Sequence, residues 1–176
     1  MKPVKTVYSE IKINASAEQV WKNLMEFDAY PKWNPFILQI GIDKLNEKDG
    51  QKKIKNNGVG EIKNNGIGEI KVGKTITAKI QPPGRGAMVF NPMVLEFEPN
   101  KKFTWLGKLW IKGLFDGEHH FEIKENGDGS ITFKQFEHFN GILVPLLRKM
   151  LDENTLEGFN QMNKALKERC EKGSCN

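Results

Sequence analysis

The chain has 176 residues, 38% hydrophobic and 28% charged, with a net charge of +5 and a pI near 9.1, a composition that suits one soluble domain with a buried core. No apolar run reaches the length of a membrane-spanning helix, and the first residues, MKPVKTVYSEIKI, alternate instead of forming the apolar block of a signal peptide, so a cytoplasmic protein is expected. The lysines are scattered with no basic stripe among aromatics, which argues against a nucleic-acid partner and allows at most weak contact with a membrane surface.

Residues 4–13 alternate as a strand, with Val7, Ile11 and Ile13 on one parity. Ser16 followed three residues later by Gln19 is a capping box, and Val20, Trp21, Leu24 and Phe27 follow at helical spacing, so the pattern predicts a short helix over 17–27. DAYPKWNP then reads as a Pro-bounded turn holding a second short helical turn. Period two returns with Phe36, Leu38, Ile40 and Ile42 on one face of a second strand, and again with Ile76, Ala78 and Ile80 in 74–81, which PPG at 82–84 stops. Met88 to Phe97 reads as one strand bulged at Pro92. FTWLGKLW follows, and LFDGEHHFEIK and SITFKQFEHF flank ENGDG as a hairpin. From Val144 to Lys172 the pattern predicts one long amphipathic helix, with Pro145 in its first turn and only Gly158 weakening it. Leu147, Met150, Leu151, Phe159, Met162 and Leu166 share one side of it.

The two cysteines, Cys170 and Cys175, sit in CEKGSC without a nearby histidine, so they read as free thiols, not a zinc site.

GEIKVGKT at 68–75 matches the spacing of a phosphate-binding loop. Such a loop must open a helix whose N-terminus holds the phosphates. Thr75 is followed instead by ITAKIQPPG, an alternating β-branched run ending at two prolines, so no nucleotide is expected. The match arises from a tandem duplication: IKNNGVGE at 54–61 repeats as IKNNGIGE at 62–69, and IKVGKT begins a third, partial copy. Residues 52–71 therefore read as a lengthened hairpin inserted in a single domain spanning 1–176.

Strand, short helices, a run of antiparallel strands and one long helix define an α+β chain in which the helix covers one face of the sheet. YPKWNPF at 30–36, VLEFEPNKKFTWLG at 94–107, LFDGEHHFEI at 114–123 and FEHFNGILVPLL at 136–147 resemble the START-like, or SRPBCC, superfamily, in its polyketide cyclase/dehydrase and lipid-transport branch. The resemblance implies a helix-grip fold, a curved antiparallel sheet of about six or seven strands wrapped around the C-terminal helix, with an internal cavity for a hydrophobic ligand. It does not fix the ligand, because function lies in the site and not in the fold.

The residues lead to the same cavity. Phe36, Leu38, Trp105, Phe115, Phe121 and Phe133 fall on apolar parities of their strands, and Leu147, Leu151 and Phe159 face them from the helix. They either fill the core or line a ligand pocket. Trp33, in the turn before the second strand, is a lid or a loop anchor. The polar exceptions on the inner parity are His119, Gln135 and Glu137. If Phe121 pairs with Phe133, His119 faces Gln135 and has Glu137 as its diagonal neighbour, an arrangement able to orient a ligand or move a proton. His120 and His138 have the opposite parity and are expected to face outward. His119 and His120 are adjacent, so they point apart on a strand and do not share a metal; no metal and no cofactor is expected. Three functions follow: a carrier or sensor of a hydrophobic small molecule, lipid-like or polyketide-like; a cyclase/dehydrase-type enzyme with His119 and Glu137 as acid and base; and a co-chaperone-like interaction module.

Overall fold

A computed structural model describes residues 4–42, 70–108 and 111–172. The duplicated units at 54–69 lie outside the described residues; of the expected insert at 52–71, only Ile70 and Lys71 lie within them.

β1 spans Lys5–Ile13, and Ser16 then caps α1, Ala17–Met25, by accepting from the Gln19 amide at 3.2 Å. A single 3-10 turn, Phe27–Ala29, leads into the one-turn α2, Tyr30–Trp33, so two short helices follow the first strand as the pattern requires. The remaining strands are β2 (Ile37–Gly41), β3 (Thr77–Ile80), β4 (Met88–Phe90), β5 (Met93–Glu98), β6 (Lys102–Lys108), β7 (Asp116–Glu125) and β8 (Ile131–Asn140).

One ladder runs β1-β8-β7-β6-β5 and the other β2-β3-β4, all antiparallel. They join where Thr75 bridges Met93, with Ile76 N–H donating to Pro92 O at 2.9 Å and Val94 N–H to Lys74 O at 2.8 Å. The result is a single curved antiparallel surface. A long helical run at 148–172 lies in its concavity, along β1 and α1. Asn163 donates to Ser9 Oγ at 3.0 Å, Lys167 to Lys12 O at 2.7 Å, and Arg169 to Asn23 Oδ1 at 2.7 Å. This is the helix-grip arrangement.

Three expectations need correction. Met88–Phe97 is not one bulged strand: Asn91 and Pro92 end β4, and β5 starts in the other ladder. Proline cannot donate to a ladder, so the break falls there. This raises the strand count among the described residues to eight. In β2 a bulge between Ile37 and Gln39 moves the buried positions to Ile37 and Ile40, leaving Leu38 half-buried; a strict alternation through Phe36, Leu38 and Ile40 misses that shift. The C-terminal helix starts at Arg148, after turns over 142–147 that contain Pro145, and its Leu151–Thr155 segment is π-helical before Leu156–Lys172 continues as α-helix. Cys170 lies on that helix. Its side chain is buried there, and burial pushes the thiol pKa up to about 12.

The weak point of the helix also finds its reason. A methyl group at Gly158 would overlap the Phe36 ring, which stands edge-on to Phe159 at 5.4 Å. Glycine is therefore retained at a cost in helix propensity, so that Phe36 can sit against the helix backbone. Phe103, Phe121, Phe133 and Phe159 are all fully buried. Phe121 stacks on Phe133 at 5.9 Å and on Phe103 at 6.2 Å. Each such burial contributes about 1.5–3 kcal/mol.

Candidate functional site

Along the inner face of the five-stranded ladder, successive cross-strand rows change character. The first row is Ile11–Phe133–Ile123, and the second is Ser9–Gln135–Phe121–Phe103. The third is Val7–Glu137–His119–Trp105, and the fourth is Lys5–Phe139–Gly117–Gly107. The rows run from wholly apolar, through two that carry polar groups, to one with two glycines side by side.

That register differs from the expected one. Phe121 pairs with Gln135, and His119 stands directly opposite Glu137, with Gln135 as its diagonal neighbour. The hairpin loop is NGDGS, not ENGDG: Asn126 N–H donates to Ser130 O at 3.0 Å, and Asp128 Oδ1 accepts from Ser130 N–H at 3.0 Å. The pairing moves by two residues, an even number, so every side chain keeps its face while its partner changes.

His119 is 1% exposed. Its Nδ1 donates to Glu137 Oε2 at 3.2 Å, and its Nε2 accepts from the Gln135 amide at 3.2 Å. The ring lies flat on Trp105, centroids 5.0 Å apart at 15°, with Phe121 and Phe159 edge-on at 4.6 and 5.1 Å. Stacking fixes the plane of the imidazole, and the two hydrogen bonds fix its tautomer. The Glu137 side chain is 17% exposed, and its Oε1 is turned toward Gly117, where any Cβ would overlap it.

Over the fourth row opens a pocket of about 80 Å³. Gly107, Gly117, Trp105, Phe139 and the Glu137 carboxylate form one wall. Ile80, Met88 and Phe90 of β3 and β4 form the other, with Pro82, Pro92, Phe36, Phe115 and Thr155 completing the lining. The π-helical segment serves this place: it presents Thr155 to the pocket, while the preceding Asn154 donates to Pro83 O at 2.9 Å. Such extra-residue turns recur at functional sites because they re-aim a side chain without ending the helix.

Of the residues expected at a site, the structure brings Phe36, Trp105, Phe115 and Glu137 to the pocket wall. His119 and Gln135 stand behind Glu137 as its support. Phe121, Phe133, Leu151 and Phe159 belong to the packed core. Leu38 is half-buried outside the pocket lining, and Leu147 lies in the turn before the helix. Trp33 is not in the pocket lining: it meets Tyr30 at 5.0 Å and lies under the Arg169 guanidinium at 5.9 Å. His120 does face the outer side of the sheet, but it is buried there, stacked on Phe136 at 4.4 Å and bonded through Nδ1 to Thr104 Oγ1 at 3.2 Å. The residues missed by pattern are the β3–β4 wall and the glycine pair. Gly107 and Gly117, each on the inner parity of an aromatic-rich strand, were the legible signal. Thr75 leads into strand β3 and not into a helix, which is where the phosphate-loop spacing at 68–75 departs from its structural requirement.

Residues 5–171 match the polyketide cyclase/dehydrase and lipid transport family, and the chain belongs to that family. Among solved structures it is similar to a START superfamily protein from Mycobacterium smegmatis, with 20% identity and a TM-score of 0.63 over 95% of this chain and 97% of the other. It is also similar to a hypothetical protein from Helicobacter pylori, with 14% identity and a TM-score of 0.68 over 96% and 89% of the two chains. A third is the di-domain ARO/CYC StfQ from the steffimycin biosynthetic pathway, with 12% identity, a TM-score of 0.63, and 96% of this chain matched to 52% of that one. At these identities the likeness is one of fold. No curated protein matches the chain.

Proposed function

We propose that this protein binds a hydrophobic small molecule, polyketide-like or lipid-like, as a carrier or sensor, with an apolar part of the ligand in the pocket above Gly107 and Gly117. The carrying observation is the wall itself: two opposed glycines leave the sheet bare, aromatic rings frame the gap, and one carboxylate turns into it. Ligand sites combine an apolar lining with a few placed polar groups in this way. At about 80 Å³ the pocket is below the roughly 300–1,000 Å³ that encloses a whole drug-sized ligand, so it takes a ring or a short chain segment while the remainder occupies the mouth. Glu137, acting as acceptor, selects a ligand that offers a hydroxyl or another hydrogen-bond donor. His119 and Gln135 position the carboxylate.

Binding of 2-naphthol and of its methyl ether, measured by calorimetry, tests the reading. Wild-type protein should favour the naphthol by about tenfold or more, the worth of a hydrogen bond to a charged group. Glu137→Gln should shrink that ratio while sparing the ether. Binding of neither compound would end the reading. The 3.2 Å contact between His119 and Glu137 supports a second reading, an acid–base enzyme of the cyclase/dehydrase type. Turnover of a polyketide-like substrate, abolished by Glu137→Gln, would select it over the carrier.

A further inference from the structure

The largest exposures of big apolar side chains among the described residues gather at one end of the molecule. Ile111 is 68% exposed, Ile142 78% and Leu146 81%. The first belongs to the turn between β6 and β7, the other two to the turns between β8 and the C-terminal helix. Backbone bonds tie these turns into one tip: Ile142 N–H donates to Gly113 O and Leu143 N–H to Leu114 O, both at 3.1 Å. Gly141, at φ 124°, permits the approach, because a Cβ there would overlap the Leu114 carbonyl. Leu147 N–H reaches back to Leu143 O at 3.1 Å and Val144 N–H to Gly141 O at 3.2 Å, so the turns that carry Ile142 and Leu146 are themselves bonded. The tip is fixed in shape, and it spends that shape on holding aliphatic side chains in water.

Its charge is one-sided. Lys112, Arg148 and Lys149 are exposed on the same two turns and the first helical residues. The nearby acids are each engaged: Asp116 accepts from Gly113 N–H at 3.0 Å, Asp152 pairs with Lys5, and Glu153 lies 4.0 Å from Lys149. Lys112 and Arg148 have no carboxylate partner among the described residues. Aliphatic side chains set among unpaired cations match a bilayer surface, where an anionic headgroup layer covers an apolar interior. The pocket lies directly behind this tip, since Phe115 follows Leu114 and Phe139 precedes the turn at Gly141.

We propose that Ile111, Ile142 and Leu146, flanked by Lys112, Arg148 and Lys149, dock the protein onto a membrane bearing anionic phospholipids. Docking does not require the pocket to be occupied, so its test is independent of ligand binding.

The test is co-sedimentation of the full chain, without ligand, with phosphatidylcholine vesicles that contain or lack phosphatidylglycerol. Binding should need phosphatidylglycerol and fall with added salt. Lys112→Gln with Arg148→Gln should weaken partitioning roughly thirtyfold, on the scale of basic residues near an anionic surface. Ile142→Asp with Leu146→Asp should remove it. These positions are exposed, so circular dichroism should show all variants folded. Lys101→Gln with Lys124→Gln removes the same charge from the opposite ends of β6 and β7 and should change partitioning by no more than about twofold. Equal losses in the two lysine and arginine pairs would mean diffuse attraction of a cationic protein and would overturn the proposal. So would absence of binding to phosphatidylglycerol vesicles, or a wild-type dimer that Ile142→Asp with Leu146→Asp converts to a monomer, which would assign the tip to a second copy of the chain.

Discussion

The two ends of the interior are built from the same strands and behave differently. At one end, Phe133, Phe121, Phe103 and Phe159 close the space between sheet and helix, and none has measurable exposure beyond a trace. Two rows further along β7 and β8, the sheet carries Gly117 opposite Gly107, and the space is left open. Between the ends, Gln135, His119 and Glu137 run as a hydrogen-bonded line from the packed core to the pocket wall. The difference teaches that a cavity in this fold needs no special backbone. It needs side chains withheld at one row, and a polar relay that can be buried because each member holds the next.

The contrast is broken most directly at its closed end. Phe133→Ala should cost about 3–5 kcal/mol in urea unfolding, as in other close-packed cores, and 2-naphthol should not restore the loss. A cost near 1 kcal/mol would mean that void already exists around Phe133.

The outer face of the same strands supplies the next largest effect. Burial, reinforced by neighbouring His138, lowers the pKa of His120 to about 4 from its ordinary 6.5. The unfolded chain takes up a proton near 6.5 that the folded chain refuses until about 4. Stability is therefore full well above pH 6.5 and declines as pH falls through 6.5 toward 4, by about 3 kcal/mol. His120→Phe keeps a ring against Phe136 and should flatten the urea midpoint between pH 6.5 and 5. An unchanged slope in that window would assign the dependence to other groups.

At the helix, Gly158→Ala gains about 1 kcal/mol of propensity but drives a methyl group into Phe36. Overpacking of that kind costs about 1–3 kcal/mol, so a net loss near 1 kcal/mol is expected. Weaker 2-naphthol binding should accompany it, because Phe36 also lines the pocket. A net gain in stability would show that Phe36 yields freely.

The open end should respond with the opposite sign. A Cβ at Gly107 meets only the Gly117 carbonyl, at an ordinary 3.8 Å. Gly107→Ala should thus leave stability unchanged or raise it by about 0.5 kcal/mol through reduced chain entropy, while lowering 2-naphthol affinity severalfold. Unchanged affinity would show that the ligand lies elsewhere.

Much of this was legible from periodicity. The inner parity of β7 and β8 put His119, Gln135 and Glu137 on the face of Phe121 and Phe133, and the Ser16 cap set the start of α1. Alternation reports which face a side chain occupies, because successive Cβ atoms point to opposite sides of a strand whatever lies beside it. The order of elements reports that the last helix must cover the sheet, since an apolar sheet face has to be buried. Those properties belong to the chain alone.

Other features were decided only by the folded whole. The NGDGS turn, not alternation, set which residue of β8 meets His119, because a slip of two leaves every face unchanged. Pro92 read as a bulge within one strand, and only the two ladders that hold the residues on either side of it made it a break. The helix start moved past Pro145 once the turns at 142–147 bonded to the Ile111–Leu114 turn. The pocket belongs to this second group. Gly107 and Gly117 sit on consecutive strands, each on the inner parity, but alternation alone does not say that they meet, and only the register of β6 on β7 sets them opposite each other. A void is a relation between neighbours, and one-dimensional pattern carries no record of which neighbours meet.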